Sequence, residues 1–214
     1  MRLVAPLLFA YLLAGAVQAK DNEQWARPGK DFAATRFSGL DQITAANVGQ
    51  LHSVWNFSTG VLSGHEGQPL VVNDTMYVVT PYPNVLYAFD LTKEDYPLRF
   101  KYRPDVNPAS VGIACCDSVN RGAVYAEGKI VYNLLDGRTV AVDAQTGQEV
   151  WKVAVADLSQ GETITMAPMV RTVGTGRLKP SVYLRPTAQA TSMRPARRRA
   201  AQAAPLAMLS PCRA

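Results

Sequence analysis

The stretch Thr139-Val140-Ala141-Val142-Asp143-Ala144-Gln145-Thr146-Gly147-Gln148-Glu149-Val150-Trp151 contains the pattern that decides the fold. A β-rich run ends at Asp143, a Thr-Gly turn follows, and Trp151 comes four residues after the glycine. This order is typical of a tight connection between two neighbouring strands, with the tryptophan packed between sheets. The run has a counterpart 53 residues earlier, which ends at Asp90. We therefore expect a repeated all-β unit.

Short β-rich runs separated by turn residues make up the rest of both units. They cover residues 69–72, 75–80, 85–90, 122–125, 129–134 and 139–143. The dipeptides Asn73-Asp74 and Glu127-Gly128 separate strands, and aromatic residues close successive units at Trp55, Phe100 and Trp151. Their spacings of 45 and 51 residues indicate propeller blades rather than a sandwich. The sequence predicts an all-β partial β-propeller in residues 20–170, with little helix beyond a turn near residues 43–51.

Cys115 and Cys116 are adjacent in the sequence. Neighbouring Cα atoms lie about 3.8 Å apart across a trans peptide, which is shorter than the usual disulfide span. In a reducing compartment the pair would be two thiols in a buried strand, whereas in an oxidising compartment a strained disulfide is favoured. The cellular compartment therefore decides between the two states.

Residues 1–19 have the layout of a secretory signal peptide. Arg2 precedes an apolar run from Leu3 to Val17, and small residues at Val17 and Ala19 suit cleavage near Ala19. The alternative is an uncleaved signal anchor. No later segment is long and apolar enough for a transmembrane helix, so we expect a soluble, periplasmic product in which Cys115 and Cys116 form a disulfide.

The net charge of +5 is an average of two unlike regions. Residues 171–214 hold nine basic and no acidic residues, which leaves residues 1–170 with a net charge of −4. A basic tail suggests nucleic-acid or anionic-lipid binding, but this one has a single aromatic residue, Tyr183, and offers no base-stacking platform. We expect no nucleic-acid partner, and we expect the Pro-, Ala- and Arg-rich tail to be disordered and not to pack on the preceding strands.

Four ordered motifs carry a family resemblance. They are Gly64-His65-Glu66-Gly67, the Cys115-Cys116 pair followed by Asn120-Arg121-Gly122, the Asp-x-x-Thr-Gly-x-x-x-Trp unit, and Gly161-Glu162-Thr163-Ile164-Thr165-Met166-Ala167-Pro168. Over residues 24–170 the chain resembles the N-terminal part of the pyrroloquinoline quinone (PQQ)-dependent methanol and ethanol dehydrogenases. The resemblance implies an eight-bladed propeller, PQQ, calcium or a lanthanide, a primary alcohol as substrate, and cytochrome c as electron acceptor.

The resemblance also implies roles for five residues. Cys115 and Cys116 would form a disulfide platform over the quinone, and Glu66 would lie near the edge of the cofactor. Arg121 would face the quinone oxygens, and Thr165 would bond a cofactor carboxylate. From composition alone, Arg121 reads as a surface salt-bridge residue and Glu66 as a solvated loop acid. His65 is expected to be an ordinary loop residue.

The repeat stops after Val170. The family's Ser-Gly-x-Glu metal segment, its later Asn ligand, its catalytic Asp and its covering Trp do not follow. We therefore assign no catalytic and no metal-binding residue. We expect a truncated or frameshifted dehydrogenase, inactive by itself, with residues 171–214 as the altered segment. The alternative is a cofactor-free propeller scaffold of the cell envelope, which would need neither Cys115-Cys116, nor Glu66, nor Arg121.

Overall fold

Two four-stranded antiparallel sheets follow one another along the chain in a computed structural model, which describes residues 24–114, 117–172 and 180–183. The expected signal peptide at residues 1–19, the Cys115-Cys116 pair, and residues 173–179 and 184–214 of the tail lie outside the described residues. Among the described residues, no helix has the length and apolar character needed to cross a bilayer.

Each sheet is a simple meander in which consecutive strands are neighbours. The first sheet contains β1 (Leu70–Val72), β2 (Thr75–Val79), β3 (Leu86–Asp90) and β4 (Leu98–Tyr102). The second contains β5 (Ala123–Ala126), β6 (Lys129–Asn133), β7 (Arg138–Asp143) and β8 (Glu149–Ala154). The predicted all-β architecture of repeated blades is confirmed.

Helical structure is confined, in the described residues, to three short segments. These are helix α1 (Ala109–Ile113) and the 3₁₀ turns Val48–Gln50 and Leu158–Gln160. The first 3₁₀ turn falls inside the predicted turn near residues 43–51. Helix α1 was not predicted, and it is the segment that leads toward the Cys115-Cys116 pair.

The first two strands of each sheet are joined by a two-residue turn of the same kind. Asn73 and Asp74 have φ angles of 48° and 58°, and Glu127 and Gly128 have 48° and 74°. Positive φ at both central positions suits the right-handed twist of a hairpin. The register closes accordingly, with Val72 opposite Thr75 and Ala126 opposite Lys129. The turn residues read from the sequence therefore fix the registers of β1–β2 and β5–β6.

The main core lies between the two sheets. Its buried residues are Leu70, Val72, Tyr77, Val79, Leu86 and Ala88 from the first sheet, and Ala123, Ile130, Tyr132, Val140 and Val142 from the second. Polar bonds cross the same interface: the Tyr77 hydroxyl donates to the Ala144 carbonyl at 2.9 Å, and the Leu135 amide donates to Asn84 Oδ1 at 2.8 Å. Burial and satisfied hydrogen bonds together hold the sheets face to face as neighbouring blades.

Trp55 and Trp151 cover the two outer faces, in agreement with their predicted structural role. Trp55 packs edge-on against Phe89 of the first sheet at a centroid distance of 5.0 Å. Its segment, residues 54–57, forms no strand. Trp151 packs against a cluster that contains Val131 and Val170.

The basic tail departs from its prediction at one point. Strand β9 (Met169–Thr172) extends past residue 170, and β10 (Pro180–Tyr183) pairs with it antiparallel, with Val182 opposite Val170. The expectation that residues 171–214 do not pack on the preceding strands is therefore wrong for these residues. Val182 and Tyr183 give the segment enough β propensity to form a hairpin despite its composition.

Asp90 at the end of β3 ties the following turn together. Its Oδ1 accepts from the Thr92 hydroxyl at 2.6 Å and from the Thr92 amide at 3.0 Å, and it pairs with Arg99 Nη2 at 3.0 Å. The Thr92 bonds, followed by Arg99, hold the pKa of the Asp90 carboxyl well below its usual range. The sequence repeat has the same device at Asp143, whose carboxylate accepts from Gln145 and Thr146.

The lowered pKa of Asp90 predicts an acid-dependent loss of stability. A depressed folded-state pKa contributes stability above the unfolded value of about 3.9, and that stability is lost as pH falls below it toward the folded-state pKa. Denaturant titrations from pH 6 to pH 2 should therefore show a smaller loss of unfolding free energy in Asp90→Asn than in wild type. In Thr92→Val, the loss of unfolding free energy between pH 6 and pH 2 should be intermediate between those of wild type and Asp90→Asn. The same pH dependence of the unfolding free energy in wild type and Asp90→Asn would contradict a lowered pKa for Asp90.

Candidate functional site

Three of the predicted site residues meet in one cluster. Arg121 Nη2 lies 3.1 Å from Glu66 Oε2, and Arg121 Nη1 donates to Thr165 Oγ1 at 2.6 Å. Glu66 lies before β1, Arg121 before β5 and Thr165 before β9. The structure thus brings together side chains that are up to 99 residues apart in the sequence. We call Glu66, Arg121 and Thr165 the Arg121 cluster.

Glycine allows the Glu66 segment to approach the Arg121 segment. A Cβ on Gly67 would lie 3.0 Å from the Asn120 carbonyl oxygen, and one on Gly122 would lie 3.2 Å from the Gln68 carbonyl oxygen. Gln68 and Gly122 form a parallel bridge at this point. A Cβ at either position would force the facing backbone to move by a few tenths of an ångström, because such contacts are tighter than nine in ten of those in real structures, and the φ of 111° at Gly122 is one that other residues rarely adopt.

Backbone bonds place Thr165 opposite Arg121. The Arg121 amide donates to the Thr165 carbonyl at 2.9 Å, and the Ile164 amide donates to the Leu135 carbonyl at 3.3 Å. Arg121 and Thr165 are therefore joined twice, once through the backbone and once through their side chains.

The charged side chains of the Arg121 cluster are partly open to water. The side chain of Arg121 is 44% exposed and that of Glu66 is 50% exposed. Ion pairs with this exposure contribute about 0–1 kcal/mol to stability. The Arg121–Glu66 ion pair therefore contributes little to the stability of the fold, and both side chains remain accessible to a ligand.

A pocket of about 380 Å³ adjoins the Arg121 cluster. Glu66, Gln68 and Arg121 line one wall, and residues 166–170 contribute to another. The charged side chains on its lining are Arg27, Arg36, Arg121, Asp31 and Glu66, which give a net charge of +1. A positive concave surface of this kind favours an anionic ligand.

Arg27 also lines the pocket and packs on an aromatic ring. Its guanidinium carbon lies 3.8 Å from the centroid of the Phe32 ring, within cation–π distance. Burial lowers the pKa of Arg27, and the negative charge of Asp31 opposes that effect. The apolar contact and the neighbouring carboxylate together hold this arginine at the pocket.

Cys115 and Cys116 lie outside the described residues, but their sequence neighbours lie beside the cluster. Helix α1 ends at Ile113, two residues before the pair. Asp117 Oδ2 lies 3.5 Å from the position that a Cβ on Gly64 would take. The Ser118 carbonyl accepts from the Tyr82 amide at 2.8 Å. Asp117, the residue after the cysteine pair, therefore lies beside the loop that carries Glu66.

His65 makes only local contacts. Its Nε2 lies 3.0 Å from Thr59 Oγ1, and its Nδ1 lies 2.9 Å from the Ser63 carbonyl oxygen. These bonds shape its own loop, as expected for a residue without assigned chemistry. Within the described part of the chain, no group of three or more His, Cys, Asp or Glu side chains is arranged to hold a metal ion.

Sequence reasoning missed the buried polar residues behind the cluster. Asn120 and Asn133 are 1% exposed and Thr139 is fully buried. The available signal was an asparagine closing the apolar run Ile130-Val131-Tyr132, a position where a polar side chain requires a partner. One partner of the Asn133 side chain, the Met166 carbonyl, lies 33 residues away in a loop, so it could not be identified from the sequence.

Residues 25–174 match the sequence profile of the PQQ family, described as the glucose/ethanol/alcohol dehydrogenase β-propeller domain. The chain belongs to this family. The resemblance found in the sequence motifs is thereby confirmed, and this PQQ-family chain contains blades of the family's propeller domain.

Curated relatives share nearly half of the aligned residues. The chain is 49% identical over 177 residues to a lanthanide-dependent methanol dehydrogenase from Methylacidiphilum fumariolicum (strain SolV), covering 78% of the chain and 29% of the relative. It is 44% identical over 158 residues to methanol dehydrogenase (cytochrome c) subunit 1 from Methylobacterium organophilum, covering 71% of the chain and 25% of the relative. This PQQ-family chain thus spans less than a third of the length of these relatives.

Solved structures show the same relationship. A europium-containing methanol dehydrogenase superposes with a TM-score of 0.69 at 49% identity, covering 73% of the chain and 27% of that protein. The quinohemoprotein alcohol dehydrogenase ADHIIG from Pseudomonas putida HK5 superposes with a TM-score of 0.66 at 39% identity, covering 75% of the chain and 23% of that protein.

Proposed function

We propose that the Arg121 cluster is one edge of the PQQ site of a periplasmic alcohol dehydrogenase. In its full-length form this enzyme would oxidise a primary alcohol, methanol or ethanol, and pass electrons to cytochrome c. The observation that carries the proposal is the joint contact of the Arg121 guanidinium with Glu66 at 3.1 Å and with Thr165 at 2.6 Å. A cofactor-free scaffold needs no such arrangement on an open pocket.

The donors and charges of the cluster fit an anionic, oxygen-rich cofactor. The Thr165 hydroxyl accepts from Arg121, so its own O–H is able to donate to a carboxylate. Arg121 has five N–H donors in a fixed fork, and only part of them is used by Glu66 and Thr165. The net charge of +1 on the pocket lining also favours an anion.

PQQ, when bound, supplies an ortho-quinone that accepts a hydride from the alcohol carbon. The role of Arg121 is to hold positive charge where negative charge develops on the reacting oxygens. Glu66 fixes the plane of the guanidinium through its ion pair, and Thr165 fixes it from the other side. A preorganised cation of this kind needs little rearrangement during the reaction.

The names of the relatives support the proposed metal and electron acceptor. The relative from M. fumariolicum is named as lanthanide-dependent, and the one from M. organophilum is named with cytochrome c. We propose that the full-length form of this protein likewise binds a metal, calcium or a lanthanide, and uses cytochrome c as its electron acceptor. Cys115 and Cys116 remain proposed as a disulfide platform for the cofactor.

The chain of 214 residues is proposed to be inactive by itself. Its Arg121 cluster is about half exposed, whereas charge stabilisation in catalysis depends on a site from which water is excluded. We expect no dye-linked oxidation of methanol or ethanol by the purified chain with PQQ and either metal supplied. Turnover under these conditions would contradict this part of the proposal.

Replacing Arg121 tests the binding role directly. Arg121→Gln removes a charged donor, and charge-assisted hydrogen bonds of this kind correspond to roughly 10- to 100-fold in affinity. We expect that loss in a PQQ fluorescence titration of the full chain, with a smaller loss for Arg121→Lys, which keeps the charge.

The matched control is Arg103→Gln, at an exposed arginine after β4. It should leave PQQ affinity within about twofold of wild type, as expected for a surface substitution away from the site. Equal PQQ affinity in wild type and Arg121→Gln would overturn the binding role of Arg121, whereas the absence of PQQ binding in wild type would favour the cofactor-free scaffold.

A further inference from the structure

A chain of buried polar side chains lies directly behind the Arg121 cluster. It starts at Thr139 on β7, passes through Asn133 at the end of β6, and reaches Asn120 in the loop before β5. None of the three is more than 1% exposed. Buried amides are expensive unless each polar atom has a partner, so their arrangement is strongly specified.

Asn133 contacts both loops that form the cluster. Its Nδ2 donates to the Met166 carbonyl at 2.8 Å, one residue after Thr165. The backbone carbonyl of Asn133 accepts from Asn120 Nδ2 at 2.8 Å, one residue before Arg121. Asn133 is thus bonded to the immediate neighbours of both partners in the Arg121–Thr165 contact.

The orientation of the Asn133 amide is fixed by Thr139. The Thr139 hydroxyl donates to Asn133 Oδ1 at 2.7 Å, and the two residues face each other across β6 and β7. This bond leaves Nδ2 pointing at the Met166 carbonyl, which can only accept. The Asn133 side chain therefore anchors the Met166 loop, and the backbone carbonyl of the same residue anchors the Asn120 loop.

Asn120 completes the connection to Arg121. Its Oδ1 accepts from the Gly122 amide at 2.9 Å, so the side chain closes a turn around Arg121 itself. The turn presents the Arg121 amide to the Thr165 carbonyl at 2.9 Å. The two loops are therefore bonded to each other through Arg121 and Thr165, and both are bonded to the same residue of β6, Asn133.

We propose that Asn133 is a positioning residue that sets the placement of Arg121 relative to Thr165. Its importance for PQQ binding rests on the proposed function, whereas its effect on the two loops does not. It touches no ligand in this role: its side chain acts through Met166, while its backbone carbonyl holds Asn120.

The test measures amide hydrogen exchange at Arg121 in the full chain by NMR. Asn133→Asp removes the Nδ2 donor while keeping the size of the side chain, and it should speed exchange of the Arg121 amide at least about tenfold. Amides in the middle of β6 and β7 should keep their protection. If Asn133 only filled space in the core, its substitution would speed exchange of the Arg121 amide and of the β6 and β7 amides to a similar extent.

Asn84→Asp is the matched control. Asn84 is equally buried and also bridges the two sheets, but its Nδ2 faces the Thr80 carbonyl, away from the Arg121 cluster. This variant should leave exchange at Arg121 within about twofold of wild type, because the Asp carboxylate still accepts from the Leu135 amide and only the bond to the Thr80 carbonyl is lost. Equal acceleration in both variants, or none in Asn133→Asp, would overturn the proposal.

Substitutions at Thr139 give a second route if Asn133→Asp does not fold. Thr139→Val removes the hydroxyl that orients the amide and should also speed exchange at Arg121, whereas Thr139→Ser keeps the hydroxyl and should not. The same exchange in Thr139→Val and Thr139→Ser would contradict the orienting bond.

A PQQ fluorescence titration is the last experiment, and it tests whether the positioning role of Asn133 affects cofactor binding. Asn133→Asp should weaken PQQ binding about tenfold relative to wild type, with Asn84→Asp close to wild type. Failure of the wild-type chain to bind PQQ would count against the proposed function alone, since exchange at Arg121 still decides the role of Asn133. Normal PQQ affinity in Asn133→Asp would refute the link between positioning and binding.

Discussion

Tyr132→Ala is expected to lower the free energy of unfolding of the chain by about 3–5 kcal/mol, the range for removing a large buried aromatic side chain. Tyr132 is fully buried in the core between the two sheets. Its hydroxyl donates to the Asn84 carbonyl at 3.0 Å, so the substitution also leaves a buried acceptor without a partner. Denaturant unfolding of the 214-residue chain measures the change.

Two further variants separate the causes. Tyr132→Phe keeps the ring and removes only the hydroxyl, so it should cost about 1–3 kcal/mol. Leu62→Ala changes a fully exposed side chain and should stay within about 0.5 kcal/mol of wild type. A small effect of Tyr132→Ala would show that the two sheets do not pack in the observed manner.

Gly147→Ala is expected to cost roughly 2–4 kcal/mol, because strain and overpacking add. Gly147 lies in the turn between β7 and β8 with a φ of 74°, which L-residues rarely adopt. A Cβ there would also lie 2.5 Å from two ring atoms of Phe100 on β4. The glycine of the Thr-Gly turn is therefore a contact point between the sheets as well as a turn residue.

Gly128→Ala provides the matched control. Gly128 has the same φ of 74°, but nothing lies within 4 Å of its added Cβ. It should cost only about 1–2 kcal/mol from backbone strain. The difference between the two variants isolates the Phe100 contact, and a double-mutant cycle with Phe100→Ala should show coupling. Equal costs at both glycines, with no coupling, would contradict this account.

Most of the fold could be predicted because its determinants are local. The first three strands of each sheet fall within about one residue of the β-rich runs, since turn pairs such as Asn73-Asp74 and Glu127-Gly128 mark their ends. The fourth strands, β4 and β8, were indicated only by their aromatic residues, Phe100 and Trp151. Helix α1 was missed because five residues show no helical period. Strand β10 was missed because the composition of the whole tail outweighed the β propensity of Val182 and Tyr183.

The candidate site was only partly predictable. Motif order singled out Glu66, Arg121 and Thr165, and the structure brings all three together. The support behind them, Asn120, Asn133 and Thr139, depends on contacts between residues up to 33 apart and on burial that only the folded chain creates. The structure describes neither Cys115 nor Cys116, so their disulfide stays a prediction.

The meander order of the strands has a consequence for the folding pathway. Within each sheet every pairing joins consecutive strands, and Val72 meets Thr75 across only two intervening residues. Closing such short loops loses little chain entropy, so each sheet can form early and separately. Contacts between the sheets, such as that of Tyr77 with Ala144, close a loop of 67 residues and therefore form later. The order of events during folding should therefore be hairpins, then single blades, then docking of one blade on the next.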